Sequence, residues 1–391
     1  MRTFSPQRSR RVAHVTSIHK PNDNRIFERE CRTLAFAGYS VCLIAPALSD
    51  TVKAGVEIRA IVGSQSRLTR MTKTVWQAYR AAIESRAEIC HLHDPELLLV
   101  GVLLRIRGKA VIFDSHEDVV DDLMTKDYVP HWFRTPLSSF FRLVLWLMGF
   151  WLSGFVAATP TIAKRFPKER TVLIRNYPYL DEARKLHVTT DGRPARALYL
   201  GNVTRIRGIF EMVKAIDLVS SPEDASLVVV GEFESEKLLN EAQKLRGWKR
   251  VQHMDWQPRE NFPAIMSGCA VGLVLFHPLR ANIEAWPNKL FEYMAAGLPL
   301  IASDFPMWRE LIQSTGCGVV VDPLNPKEIS DAMSFIFSNP QRAVAMGNAG
   351  RSAVLSTYNW EPEGERLVSF YDRILTVSPW PLTRGGIEVS E

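Results

Sequence analysis

Short internal repeats and low-complexity tracts are absent from the 391 residues, so the chain reads neither as a solenoid nor as a biased linker. Cysteine is scarce. The five present (Cys31, Cys42, Cys90, Cys269 and Cys317) are scattered, odd in number and never spaced C-x-x-C. That argues against a disulfide framework or a zinc site and for a reducing compartment. The opening MRTFSPQRSRR is basic but runs straight into VAHVTSI, without the apolar core and small-residue cleavage site of a signal peptide. The loop after that first apolar run, HKPNDNRIFERE, lacks the G-x-G-x-x-G of dinucleotide-binding folds, which weakens a dehydrogenase reading. No D-x-D stands ready to hold a metal with a diphosphate, and the sequence predicts no metal site and no prosthetic group. Aromatic residues do not interleave with a basic stripe, so a nucleic-acid partner is not expected.

What is present is an ordinary globular balance, 46% apolar and 23% charged residues. At roughly 150 residues per domain the length suggests two or three domains. Lys and Arg (48) modestly exceed Asp and Glu (42), which favours anionic surfaces or substrates. One pattern repeats: a short apolar run, a polar loop, then a longer amphipathic stretch. The runs are RVAHVTSI, YSVCLIAPA, AEICHLHD, AVIFDSHE, GFVAATP and TVLIRN, then ALYLGN, SLVVVGE, RVQHMDW, AVGLVLF, LPLIASD and GVVVD. Continuous Val/Ile/Leu runs separated by helical segments predict parallel strands covered on both faces, an α/β architecture. The series restarts near residue 195 after a polar, proline-containing stretch that reads as a linker. The expected organisation is two doubly wound, Rossmann-like domains facing across a cleft, residues 1–185 and 195–356. A last amphipathic helix at 357–376 packs back on the first domain, and a disordered tail follows at 377–391. In such sheets ligands bind at the carboxyl ends of strands, so polar residues just after the runs are the candidates.

The most decorated of these loops is NIEAWPNKLFEYMAAGLPLIASD, residues 282–304. Pro287 suits the first helical position, where a missing N–H costs nothing. The N–H groups of Asn288, Lys289 and Leu290 would then point out of the helix start and, with the macrodipole, form an anion site. Glu292, one turn on, is placed to accept from ribose hydroxyls, and Glu284, before the helix, to reach a sugar. In GNVTRIRG, Gly201 and the basic residues Arg205 and Arg207 suit a diphosphate approached by backbone and guanidinium together. HLHDPE puts His91 and His93 on one face of a strand with Asp94 at its end, and FDSHED places His116 and Glu117 at another. Their spacing repeats no known metal-ligand pattern.

A further stretch raises the question of a membrane. LVLWLMGFWLSGFVAATPTIA (143–163) carries no charge and reaches the roughly 20 residues needed to span a bilayer. Ser153-Gly154 and Thr159-Pro160 break it into a helix over 143–152 and the strand GFVAAT. Trp132, Phe133, Phe140 and Phe141 stand close to Arg134 and Arg142, a composition suited to lying in the headgroup layer of an anionic membrane. A helix buried between domains is the competing reading.

Glu284 and Glu292, with seven residues between them and followed by YMAAGLPLIASD, resemble the signature of retaining family 4 glycosyltransferases of the GT-B fold. The likeness extends through NDNRIFERECRTLAFAGYSV, HLHDPELLLVGVLLRIRGKAVIFDSHE, LYLGNVTRIRGIFEMVKAI, LVVVGEF (with Gly231) and GCGVVVDPLNPKEISDAM, in the order that family shows. The resemblance implies transfer of a sugar from a nucleoside diphosphate donor with retention at the anomeric carbon. In that family the second glutamate grips the ribose and the first contacts the donor sugar. A UDP-sugar is favoured on family frequency, with GDP-mannose the main rival. The acceptor implied is a glycan or a polyprenyl-diphosphate-linked sugar, and the location cytoplasmic, peripheral on the inner face of the membrane. Where the family usually has a basic residue after the first glycine, this chain has Asn202; Arg207 fills the second basic place. The loops carrying His93 and His116 would line the cleft, and Asp23 and Arg25 stand where the family often has glycines, as acceptor-side candidates. A sugar-nucleotide epimerase on the same architecture is the enzymatic alternative, with His93, His116 and Glu117 as its ionisable groups.

Overall fold

The computed structural model describes residues 10–64, 66, 69–115, 131–186 and 192–376, with side chains described from 135 onward in the helix that begins at 131. His116, Glu117, the tail 377–391 and the side chains of Trp132, Phe133 and Arg134 lie outside the described residues. The chain divides into two compact units, Met1–Asn176 with Pro362–Glu391, and Tyr177–Glu361.

The first unit is built on an eight-stranded sheet. Its strands are β1 (Arg11–Val15), β2 (Ser40–Pro46), β3 (Thr51–Lys53), β4 (Val56–Ile61), β5 (Ile89–Leu92), β6 (Ala110–Ser115), β7 (Gly154–Ala157) and β8 (Thr171–Leu173), in the order 3-4-2-1-5-6-7-8. All pairs are parallel except β3 with β4. The second unit carries β9 (Arg196–Leu200), β10 (Ser226–Val230), β11 (Val251–Met254), β12 (Val271–Val274), β13 (Leu300–Ser303) and β14 (Gly318–Val321), all parallel, in the order 11-10-9-12-13-14. The twelve apolar runs read from the sequence coincide with twelve of these strands. The two outside that set, β3 and β4, form an edge ribbon. Its longer member, VEIRAI, alternates polar and apolar residues because one face is wet.

In each sheet the winding reverses beside the first strand, between β1 and β5 and between β9 and β12, and α/β sheets open a crevice at such points. Apolar side chains fill both faces of the second sheet. The last helix, Trp360–Thr376, lays Phe370 and Ile374 against Gly154 of β7, where a Cβ would stand 2.5 Å from the Phe370 ring. The helix His131–Trp151 contains the first nine residues of the uncharged stretch, and β7 follows it as the strand expected there. Among the described residues no helix is long and apolar enough to cross a membrane. Leu145 and Met148 bury one side of that helix, while Phe140, Leu143, Trp146 and Phe150 are each more than half exposed.

Candidate functional site

The second unit assembles its candidate site at the β9/β12 reversal. Helix Asn288–Ala296 is held against the carboxyl end of β9 by Tyr293. The Leu200 N–H donates to Tyr293 Oη (2.8 Å), and that hydroxyl donates to the Leu198 carbonyl (3.3 Å). Gly272 on β12 makes the approach possible, since a Cβ there would lie 2.4 Å from the Tyr293 ring. The helix N-terminus is thereby set beside the loop that leaves β9.

That loop begins with Gly201, whose φ of +117° belongs to glycine. A Cβ on Gly201 would meet Lys289 Nζ at 3.4 Å, so the glycine faces the lysine directly. Lys289 is buried, and its ammonium has no hydrogen-bond partner. It rests 3.8 Å from the centroid of the Tyr199 ring and 5.4 Å from that of Phe276, a cation–π seat. Burial first, and then the charge of Arg207, hold the Lys289 pKa well below that of an ordinary lysine. Arg207 stands over Phe276 at 5.5 Å and donates from Nη1 to the Asn202 carbonyl (3.2 Å), which also accepts from Tyr199 Oη (2.7 Å). Two cations held together with no carboxylate bonded to either are costly unless an anion completes them.

Around this centre the sequence candidates fall out unequally. Pro287 is the residue before the helix rather than its first member, and its carbonyl accepts from the Leu290 N–H (3.1 Å). Leu290 is therefore not a free donor, which corrects the expectation of three; the unbonded N–H groups at this helix start are those of Asn288 and Lys289. Arg205 is turned away: it pairs with Glu241 and stacks on Phe210 at 4.3 Å, leaving Arg207 as the loop guanidinium nearest Lys289. Gly231 packs this loop from the end of β10, where a Cβ would strike the Gly201 carbonyl at 2.2 Å.

Glu284 follows directly on the short turn Arg280–Ile283. The neighbouring Ala285 carbonyl is pinned by Trp308 Nε1 (2.8 Å), which fixes where Glu284 projects. Glu292 is mostly buried and ion-paired with Arg259. Arg259, Tyr199, Phe276 and Trp308 are residues of this site that the sequence reading passed over. Only Tyr199 and Phe276, at or just past strand ends, carried a local signal.

In the first unit His14, His91 and His93 are interior. His93 is 2% exposed; its Nε2 lies 2.9 Å from His14 Nδ1 and its Nδ1 3.2 Å from Asp114. With both nitrogens engaged and no exposed surface, it offers no atom to a substrate, which overturns its expected role beside a cleft. Arg25, an acceptor-side candidate, is buried in a bidentate pair with Asp114 (2.7 and 2.8 Å). Asp23 accepts from the Arg25 and Ile26 N–H groups (2.9 Å each). Burial alone would raise the Asp23 pKa, but these bonds and His19 hold it far below the carboxylate range.

Residues 184–353 match the family described as Glycosyl transferases group 1. The chain is 35% identical over 89 residues, 23% of each chain, to the GDP-mannose-dependent alpha-(1-6)-phosphatidylinositol monomannoside mannosyltransferase of Mycobacterium tuberculosis. It spans between 23% and 62% of the length of the curated relatives it matches. Sucrose-phosphate synthase from Thermosynechococcus elongatus superposes with a TM-score of 0.75 at 18% identity, covering 94% of this chain and 100% of that one. HepE of Anabaena, solved in complex with UDP-glucose, gives 0.70 at 14% identity over 93% and 99%. These likenesses establish the GT-B fold.

Proposed function

We propose, from the premise that residues 184–353 belong to the glycosyl transferases group 1 family, that the protein transfers a sugar from a nucleoside diphosphate donor with retention at the anomeric carbon. The observation that carries this reading is the buried, unpartnered Lys289 ammonium facing Gly201, with Arg207 and the Asn288–Ala296 helix start beside it. That arrangement suits a diphosphate.

The leaving diphosphate gains charge as the bond from the anomeric carbon to its oxygen breaks. Lys289, Arg207 and the helix N-terminus are fixed beforehand where that charge develops, usually the largest catalytic contribution. The chain itself supplies this stabilisation, so the reaction is proposed to run without a metal. The acceptor hydroxyl forms its bond to the anomeric carbon on the face the diphosphate leaves, and its proton passes to the departing phosphate oxygen. Glu292, exchanging Arg259 for ribose hydroxyls, holds the nucleoside, and Glu284 holds the donor sugar.

UDP is the favoured base, supported by the UDP-glucose complex of a structural neighbour; the mannosyltransferase relative keeps GDP-mannose as the alternative. The acceptor is a glycan or lipid-linked sugar. The exposed Phe140–Phe150 face of the His131–Trp151 helix supports peripheral contact with an anionic membrane, on its cytoplasmic side.

Saturation-transfer NMR of UDP, GDP and their sugar conjugates, beside Glu292→Ala and Lys289→Ala, tests the reading. One nucleotide should bind and both variants should lose it. Equal binding by wild type and variants would remove the site from the helix start.

A further inference from the structure

The first unit contains a buried cluster that the proposed transfer does not use. His14 on β1 and His91 on β5 are register partners, so their rings leave adjacent strands on the same face. His93 follows two residues after His91, and Glu30 arrives from the helical turn Ile26–Cys31. All four side chains are fully enclosed. One donor atom from each lies within 4.8 Å of all the others.

A second, independent observation concerns what is missing inside. Neither carboxylate oxygen of Glu30 receives a hydrogen bond from an N–H or hydroxyl donor, a bond to the Asp114 carboxyl would need a proton held between two carboxyl groups, and His91 Nε2 has no partner either. Arg25 approaches Glu30 (Nε to Oε1, 3.2 Å), but its Nε and Nη2 already serve Asp114. Two buried carboxylates thus share one guanidinium. The cluster is rich in lone pairs and short of positive charge. Nearly all buried polar groups in folded proteins find partners, so three orphans in one cluster need an occupant.

We propose that this cluster is a structural divalent-cation site, filled by zinc through His14, His93, His91 and Glu30. Three imidazoles and one carboxylate are a zinc-type donor set. Tetrahedral zinc with bonds of about 2.0–2.1 Å sets its ligand atoms about 3.4 Å apart. His14 Nδ1 lies 2.9 Å from His93 Nε2 and 3.9 Å from Glu30 Oε2, separations that bracket that value. The outer contacts also fit. His93 keeps Nδ1 on the Asp114 carboxylate (3.2 Å) and turns Nε2 inward, the carboxylate–histidine arrangement that orients metal ligands. Tyr371 Oη contacts His14 Nε2 (3.3 Å) and His91 Nδ1 (2.6 Å), steadying both rings from the last helix. The ion would tie β1, β5 and the turn Ile26–Cys31 into one block. Because nothing opens to solvent, it enters during folding.

The test uses the full-length chain without an affinity tag of histidines. It is unfolded, stripped with a chelator, and refolded with zinc or with EDTA, beside Glu30→Gln and His14→Gln. Metal content after gel filtration and thermal melting are measured. The wild type should retain one zinc per chain and melt several degrees higher than the EDTA-refolded protein, while each variant that refolds should retain none. If one variant fails to refold, the other and the wild-type stoichiometry decide. Wild type refolding equally without metal, or Glu30→Gln holding as much zinc as wild type, would overturn the site and leave a proton-bonded network in its place.

Discussion

Lys289 concentrates the case at the scale of one residue. An ammonium in a buried seat, held by aromatic faces and repelled by Arg207, is retained at a cost to stability, and a diphosphate is the group that would offset it. Lys289→Met should therefore weaken nucleotide binding by about 10–100-fold, the loss of a charge-assisted contact of about 1.5–3 kcal/mol, while leaving the melting temperature unchanged or raised. Calorimetric titration and a melting curve on the same sample check both halves. The lowered pKa of Lys289 adds a sign that can be worked out. Between its folded value and the ordinary lysine value near 10.4, the unfolded chain binds the extra proton, so the free protein gains stability as pH rises through that window. A bound diphosphate favours the charged form, so nucleotide binding takes up a proton and weakens as pH rises over the same range. Titrations in two buffers of different ionisation enthalpy should show uptake in the wild type and none in Lys289→Met; no uptake in either would mean the lysine does not meet the anion.

Among the elements, helix Asn288–Ala296 shows what a sequence discloses and what it withholds. Its glutamates, its Pro-Asn-Lys start and the glycine after it were visible in one unbroken stretch. Its seat was not, because Tyr293 reaches back to β9 and needs Gly272 on a strand far away in sequence. Arg259 was invisible for the same reason: its tie to Glu292 is made by folding, not by spacing. Strands were legible wherever both faces are buried and the run is continuously apolar. They were missed in β3 and β4, where a wet edge dilutes the signal. The histidine cluster shows the same limit: HLHD displays two rings, whereas His14 and Glu30 join them only through the β1–β5 pairing. The seat itself makes a prediction. Gly272→Ala should push the Tyr293 ring, destabilise the protein by about 1–3 kcal/mol through overpacking, and weaken nucleotide binding by displacing the helix start. Gly316→Ala, where a Cβ meets nothing within 4 Å, should cost stability through its φ of +70° yet leave nucleotide affinity unchanged. Equal affinity loss in both would show that binding merely follows stability.

Taken whole, the chain puts its proposed anion site in one unit and its exposed aromatic helix in the other. The division of labour suits an enzyme that takes a soluble donor in one half and meets a lipid-linked acceptor with the other. On the first unit, Phe140, Leu143, Trp146 and Phe150 are exposed, as are Leu99 and Ile106 of the helix Leu98–Ile106, which packs against theirs. Phe150 and Trp151 also line a cavity in this unit whose wall carries Arg105, Arg107, Lys109 and Arg170 together with Glu88 and Glu169. Apolar rings flanked by cations match the boundary between acyl chains and anionic headgroups. Each basic residue near such a surface contributes about 1 kcal/mol, so binding should fall as salt screens it. Vesicles of phosphatidylcholine with phosphatidylglycerol should sediment the wild type at low salt and release part of it at high salt, while phosphatidylcholine alone should hold much less. Trp146→Glu with Phe150→Glu should abolish sedimentation yet leave nucleotide binding at Lys289 intact. If the double variant still sediments, the exposed rings are not the membrane contact, and the face has another partner.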